Sequence, residues 1–322
     1  MAWNSFQIDP DAGQTCFMIS VRGSLYIGTA NDDGGIVERI HELKQDKVTK
    51  EFKVKGGEIW RRRAKTPLFE QTALQFKDII GFLKHNKETN EKIISVLIDI
   101  ALDLSKAEEG YLDYIDMESE AALKYEKNEG ISQQTNAFVY KNPTIPLKEI
   151  AERVLIRLII AYRKLPEVIS LIRGNTFKPG KEFIQELANL LPKNHPDRTS
   201  FEYDNNWIKE LYDLRGDIEH KRWEIIPFEV EQSDQSNSCH VKPCRVAVES
   251  QSENPINLVS YLAVTFCNMV TFIEDMVALS LADKMPYPVR LVTLPESEQA
   301  KYRHFKYIVD LVPEVKMKLP QN

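Results

Sequence analysis

Cysteine is scarce in this sequence: Cys16, Cys239, Cys244 and Cys267 are the four in 322 residues. They are too few and too scattered for a disulfide framework, so a reducing, cytoplasmic setting is expected. Long apolar runs are missing as well. Arg157, Arg163 and Glu274 break the most apolar stretches before the ~18 residues a membrane span needs, so no membrane partner is expected. The opening MAWNSFQIDPDAGQ has no basic segment leading into an apolar one, which argues against a secretory signal. No repeat period is visible. An excess of positive charge is also lacking. The formal net charge of −6 speaks against indiscriminate nucleic-acid binding.

The remainder has the composition of an ordinary globular protein, 43% hydrophobic and 28% charged, with room for one large or two modest domains. Its charge is unevenly spread. Residues 99–130 carry ten acids and three lysines, whereas residues 147–181 carry eight Lys/Arg and three glutamates. A polyanion needs only a local positive field. The plainer account is that the two stretches face each other or are separately solvated.

Residues 1–65 read as a small antiparallel β element. TCFMISVRGSLYIGT gives two strands around Arg22-Gly23, and KEFKVKGGEIWRRR two more around Gly56-Gly57. GIVERIHELK fits either a helix or a strand. From Thr66-Pro67, a helix start, the period becomes helical and a single domain over 66–322 is expected. Phe69, Ala73, Phe76, Ile80 and Leu83 form one apolar face, and Ile93, Ile94, Leu97, Ile100, Ala101 and Leu104 a second. A third, acidic helix is expected over 111–127, then a loop, then an apolar helix over 147–173. Arg153, Arg157 and Lys164 share one narrow sector of this helix and make it the candidate phosphate-tracking surface. A short helix over 180–191 and one capped by Ser200 follow. An inserted β-hairpin is expected at about 224–249, then a long buried helix over 255–284.

Three constellations are set aside. GNTFKPGKE has five residues between Gly174 and Gly180 and Glu182 after the lysine, so it is a helix cap and turn rather than a phosphate-binding loop. CHVKPC places Cys239, His240 and Cys244 together, but a structural zinc needs four ligands, so an ordinary hairpin is expected. Glu38-x-x-His41 and Asp217-x-x-His220 have the spacing of bundled di-iron sites, which use glutamate in both motifs. No metal and no cofactor is expected.

LYDLRGDIEHKRW, residues 211–223, carries the sharper signal. Arg215 and His220 lie five residues apart, about 140° around a helix and ~7.5 Å along it, so both reach one broad face. Gly216 costs about 1 kcal/mol in a helix interior and would loosen the backbone beside Arg215. Arginine offers a permanent fork of donors for phosphate oxygens, and histidine moves protons near neutral pH. Spacing alone favours an exposed face on which Arg215 pairs with Glu219, worth a few tenths of a kcal/mol.

LRGDIEHKR also resembles the signature of the HEPN superfamily (higher eukaryotes and prokaryotes nucleotide-binding domains): arginine, four to six residues, histidine, late in an all-α bundle. The resemblance spans roughly 66–285 and is strongest to the clostridial-type bacterial HEPN families. It implies a mainly α HEPN-like bundle, here with a small N-terminal β element and an inserted hairpin. It further implies a cytoplasmic, metal-independent endoribonuclease of the toxin or phage-defence kind. In this family two chains dimerise so that two motifs line one cleft, and the RNA's 2′-hydroxyl attacks the adjacent phosphate. His220 would then transfer protons and Arg215 stabilise charge on phosphorus. Gly216 stands where the family often has asparagine or aspartate, and Asp217 would supply a supporting carboxylate. Arg222 stands where toxins silenced by a nucleotidyltransferase carry tyrosine, so that partner is not expected, although another antitoxin or defence partner is compatible. The alternative is a HEPN-like dimer that binds or senses without cutting.

Overall fold

In the computed structural model of the protein, Gln14–Val21 (β1), Ser24–Asn31 (β2) and Gly34–His41 (β3) pair in sequence as antiparallel neighbours. Lys44–Gln45 (β4) pairs with Phe52–Lys53 (β5), and Gly57–Arg62 (β6) pairs with β3 to complete a sheet ordered β1-β2-β3-β6. The ambiguous GIVERIHELK is thus a strand over Gly34–His41. Among the described residues, the two strands expected around Gly56-Gly57 have different partners: β5 pairs with β4, and β6, which begins at Gly57, pairs with β3. The structure describes residues 14–21, 24–31, 34–41, 44–45, 52–53, 57–62, 68, 70–127, 132–134, 137–139, 143–189, 198–232, 239–247, 255–299 and 305–316. The turn at Arg22-Gly23, the helix start at Thr66-Pro67, and Phe69 lie outside them.

The rest is mainly helical. After a π-helical turn over Glu70–Leu74 come Gln75–Ile80 (α1) and Lys87–Glu126 (α2). Ser132–Gln134 (β7) and Ala137–Val139 (β8) make a short hairpin where a loop was expected. Thr144–Arg173 (α3), Phe183–Ala188 (α4) and Arg198–Glu219 (α5) follow. The inserted hairpin is Glu229–Gln232 (β9) against Cys239–Lys242 (β10), and Arg245–Val246 (β11) pairs with Ile256–Asn257 (β12). Leu258–Ala282 (α6) precedes Val289–Thr293 (β13), Glu296–Gln299 (α7), Tyr307–Leu311 (β14) and Pro313–Lys316 (α8), with β13 and β14 antiparallel.

Two compact units result. One comprises Met1–Ala101, Leu171–Arg173 and Ala278–Asn322, the other Leu102–Ser170 and Gly174–Val277. In the first, Phe76 is fully buried and stacks on Tyr307 at 6.4 Å. Buried Gln75 accepts the backbone N–H groups of Lys306 and Tyr307 at 3.1 and 3.2 Å, which ties the start of β14 to α1. In the second, Tyr162 lies at the centre of an aromatic cluster with Tyr212, Phe272 and Phe183, at 5.6, 6.0 and 6.1 Å.

The helices expected over 90–104 and 111–127 are one helix of 40 residues, α2. Gly110, between them, costs about 1 kcal/mol of helix propensity, yet packing requires it. A Cβ there would come within 2.9 Å of Val154 Cγ2, so its absence lets α2 and α3 approach. The apolar stripe of α3 (Ile150, Val154, Leu158, Ala161, Leu165, Ile169) is buried as its spacing predicts. Gly174 ends α3 in the left-handed region, φ 77°, with its N–H on Ser170 O at 2.9 Å. That is the cap read from GNTFKPGKE. The absence of a long apolar run is corrected by α6. By length and composition it could cross a membrane, Glu274 notwithstanding, but most of its apolar window is buried inside the protein.

The hairpin segment docks through buried polar contacts. Phe228 donates its N–H to Thr144 Oγ1 at 3.0 Å and sets its ring 5.7 Å from that of Tyr125. Glu118 of α2, itself buried, accepts the Tyr114 hydroxyl at 2.9 Å and the backbone N–H of Cys244. Burial pushes the Glu118 carboxyl above its ordinary range, and the two donors draw it only partly back. A carboxyl whose pKa is higher folded than unfolded contributes stability below the unfolded pKa. That contribution is lost as pH rises through the folded one. Glu118→Gln should therefore be more stable than the parent at neutral pH, with the difference shrinking in acid. Glu118→Ala should lose about 1–3 kcal/mol for each donor left buried and unpaired. Thermal melts of the three proteins from pH 4 to 8 test this; a parent-minus-Gln difference flat across that range would refute it.

Candidate active site

The motif occupies the last turns of α5. The helix was expected to begin at a Ser200 cap but already starts at Arg198, so Ser200 is internal. Leu211 and Ile218 are buried at 3% and 7%, whereas Trp207 and Leu214 of the same expected face are only half-buried. Ile208, fully buried, was not part of the expected stripe.

The helix ends in a tight double hydrogen bond. Lys221 adopts φ 56°, its N–H donates to Ile218 O at 3.0 Å, and the Arg222 N–H donates to Asp217 O at 2.7 Å. This is a Schellman motif, with lysine in the left-handed position usually given to glycine. Arg222 Nη2 also reaches the Asp217 carboxylate at 3.2 Å, and buried Trp223 donates its N–H to Asp217 O at 3.2 Å. Asp217, the expected supporting carboxylate, is thus tied to the helix terminus through both its backbone and its side chain.

The backbone at Gly216 is not loosened as its composition suggested. The His220 N–H still donates to Gly216 O at 3.0 Å, so the helix stays regular past the glycine. A Cβ at 216 would meet nothing within 4 Å, and its φ is not positive. Gly216→Ala should accordingly raise unfolding free energy by about 0.5–1 kcal/mol. A lowered melting temperature for that variant would show that the glycine has a conformational task after all.

Because the helix is regular, Arg215 and His220 keep the angular separation of about 140° set by five residues. His220 is exposed, with no side-chain hydrogen bond among the described residues. Arg215 is half-buried, its side chain 26% accessible, and is held by Glu219. Its Nε and Nη2 both donate to Glu219 Oε1, at 2.8 and 2.5 Å. The pairing that spacing alone favoured is therefore present.

The expected phosphate-tracking stripe on α3 is not one open surface. Arg153 is exposed. Arg157 Nη1 lies 3.5 Å and Lys164 Nζ 2.6 Å from the carboxylate of Asp103 on α2, whose side chain is 7% accessible. The acidic and basic stretches thus meet at this carboxylate.

Two further residues bear on the motif, one inside the 211–223 stretch and one on α3. Tyr212 of α5 packs its ring against Tyr162 of α3, next to exposed Arg163. Its hydroxyl is buried without a hydrogen-bond partner among the described residues. Burial pushes this phenol up, and the charges of Arg163 and Arg215 pull it partly back. Arg163 and the motif arginine therefore act on the same phenol. The sequence carries only a faint trace of this, one more arginine among the several cations of the 147–173 helix. Lys181 pairs with Asp213, on the opposite side of α5 from Arg215.

Comparison of the chain with family models, with curated proteins and with solved structures found no match.

Proposed function

We propose that the protein is a metal-independent endoribonuclease of the HEPN toxin or phage-defence type, working in the cytoplasm on RNA and assembling as a homodimer. The carrying observation is the end of α5, where exposed His220 and half-buried Arg215 lie about one and a half turns apart on a regular helix. The 2′-hydroxyl of RNA supplies the nucleophile, so the protein has to move protons and stabilise charge on phosphorus. Imidazole and guanidinium are suited to those two tasks.

The test is incubation of purified protein with RNA in the presence of a chelator. Cleavage should continue, leaving 2′,3′-cyclic phosphate (or its opened form) and 5′-hydroxyl ends, and 2′-deoxy linkages should resist. A requirement for magnesium, or 5′-phosphate ends, would sink this mechanism. A strictly monomeric mass at micromolar concentration would remove the composite site.

The pairing of Arg215 with Glu219 favours a second reading, a HEPN-like module that binds RNA without cutting it. Purified protein that binds RNA yet leaves every tested sequence intact would establish that reading instead.

A further inference from the structure

The side-on edge of Arg215, its Nε and Nη2, is the edge an arginine offers to a phosphate or carboxylate. Here both donors converge on one oxygen of Glu219, four residues on along the same helix. Any phosphodiester that engages Arg215 through this edge must displace Glu219. The pair is partly exposed, 26% and 49% accessible, and pairs of that kind are worth only about 0.2–1 kcal/mol, so displacement is easy.

The surroundings point to an anion. Tyr212 lies one turn before Arg215, and its ring is 5.6 Å from that of Tyr162, the residue preceding exposed Arg163 on α3; the charges of both arginines act on the Tyr212 phenol. Arg163 has no ion pair among the described residues, and the buried Tyr212 hydroxyl has no acceptor among them. Two guanidinium groups from different helices, one of them without an ion pair among the described residues, thus act on a tyrosine whose hydroxyl has no hydrogen-bond partner among them. Asp213 and Asp217, each two residues from Arg215 and so on the opposite side of the helix, are paired with Lys181 and Arg222.

Resting on the nuclease reading, we propose that Arg163 and Arg215 form a two-arginine subsite at Tyr212 for a phosphodiester of the RNA backbone, and that Glu219 is its built-in competitor, occupying Arg215 until the phosphate arrives. Arg163 is then a positioning residue for the phosphate, and Glu219 sets the threshold for engagement.

The test uses binding rather than cleavage, so it separates the subsite from the chemistry. A fluorescent 2′-O-methyl RNA, which cannot undergo 2′-hydroxyl attack, is titrated with the full chain and followed by anisotropy at fixed salt. Glu219→Gln should tighten binding about two- to fivefold. Glu224→Gln, the same charge change at an exposed acid just past the helix, should tighten it less. In an Arg215→Gln background the gain from Glu219→Gln should disappear, because nothing remains to be released. Arg163→Gln should weaken binding in both the parent and the Glu219→Gln protein. Melting temperatures identify any variant that fails to fold, and Arg163→Lys then reads the same position with its charge kept. The proposal is overturned if Glu219→Gln tightens binding no more than Glu224→Gln, if its gain survives in the Arg215→Gln background, or if folded Arg163→Gln binds like the parent. Glu219-dependent binding without cleavage of unmodified RNA would keep the subsite and discard the nuclease.

Discussion

Replacing His220 with alanine is expected to lower the rate of RNA cleavage by about 10²–10⁴-fold, the contribution typical of a positioned proton-transfer group. The melting temperature should barely move, because the imidazole is exposed and bonds to nothing among the described residues. Arg215→Ala should cost about 10²–10³-fold by removing charge stabilisation in the transition state. It also frees Glu219, at a cost to stability of only a few tenths of a kcal/mol. Arg215→Lys should recover part of the loss, since an ammonium keeps the charge without the fork. The discriminating measurement is single-turnover cleavage of a defined RNA by variants matched for melting temperature. Full activity in His220→Ala would end the proposed mechanism.

Much of the helical architecture could be read from periodicity, because a buried helix face leaves its spacing in the sequence. Every apolar position expected on 93–104, and the whole stripe of 147–173, is buried. What escaped reading were features decided by contacts distant in sequence. Gly110 looks like a break and is instead a point of close approach to Val154. The strand over Phe52–Lys53 could not be separated from its apparent hairpin partner, because pairing is chosen by the neighbouring strands rather than by the Gly-Gly between them.

The site was legible in one dimension only. Arg215, Gly216 and His220 stand out within thirteen residues, and the Arg215–Glu219 pair follows from i,i+4 spacing. The Schellman end could not be foreseen, since lysine rather than glycine takes the left-handed position. Arg163 could not be assigned either, because its relation to Tyr212 depends on how α3 packs on α5. The basic sector of α3 was visible, but not the Asp103 carboxylate that occupies two of its three cations.

That carboxylate reverses the outcome expected for charge substitutions on α3. A stripe of free surface cations could be inverted with little effect on stability, since exposed charges contribute little. Asp103 is buried, however, and Arg157 and Lys164 are its compensating charges. Removing one partner of a fully buried pair costs about 3–5 kcal/mol, because the other charge stays desolvated. The cations here are 43% and 34% accessible, so neutralising either one alone should cost less, on the order of 1 kcal/mol. Inverting both, with Arg157→Glu and Lys164→Glu, places two new negative charges against a carboxylate that cannot move into water. The expected loss is ~3 kcal/mol or more. Adding Asp103→Asn to that double variant should restore a large part of it, since the repulsion then has no centre. Arg153→Glu, at an exposed position of the same helix, should stay within about 0.5 kcal/mol of the parent. Denaturant unfolding of these five variants decides the matter. If the double inversion melts like the parent and only RNA binding suffers, Arg157 and Lys164 return to the phosphate surface. If stability collapses as expected, their effect on RNA reports folding, and Arg153 and Arg163 are the cations of α3 through which phosphate contact should be read.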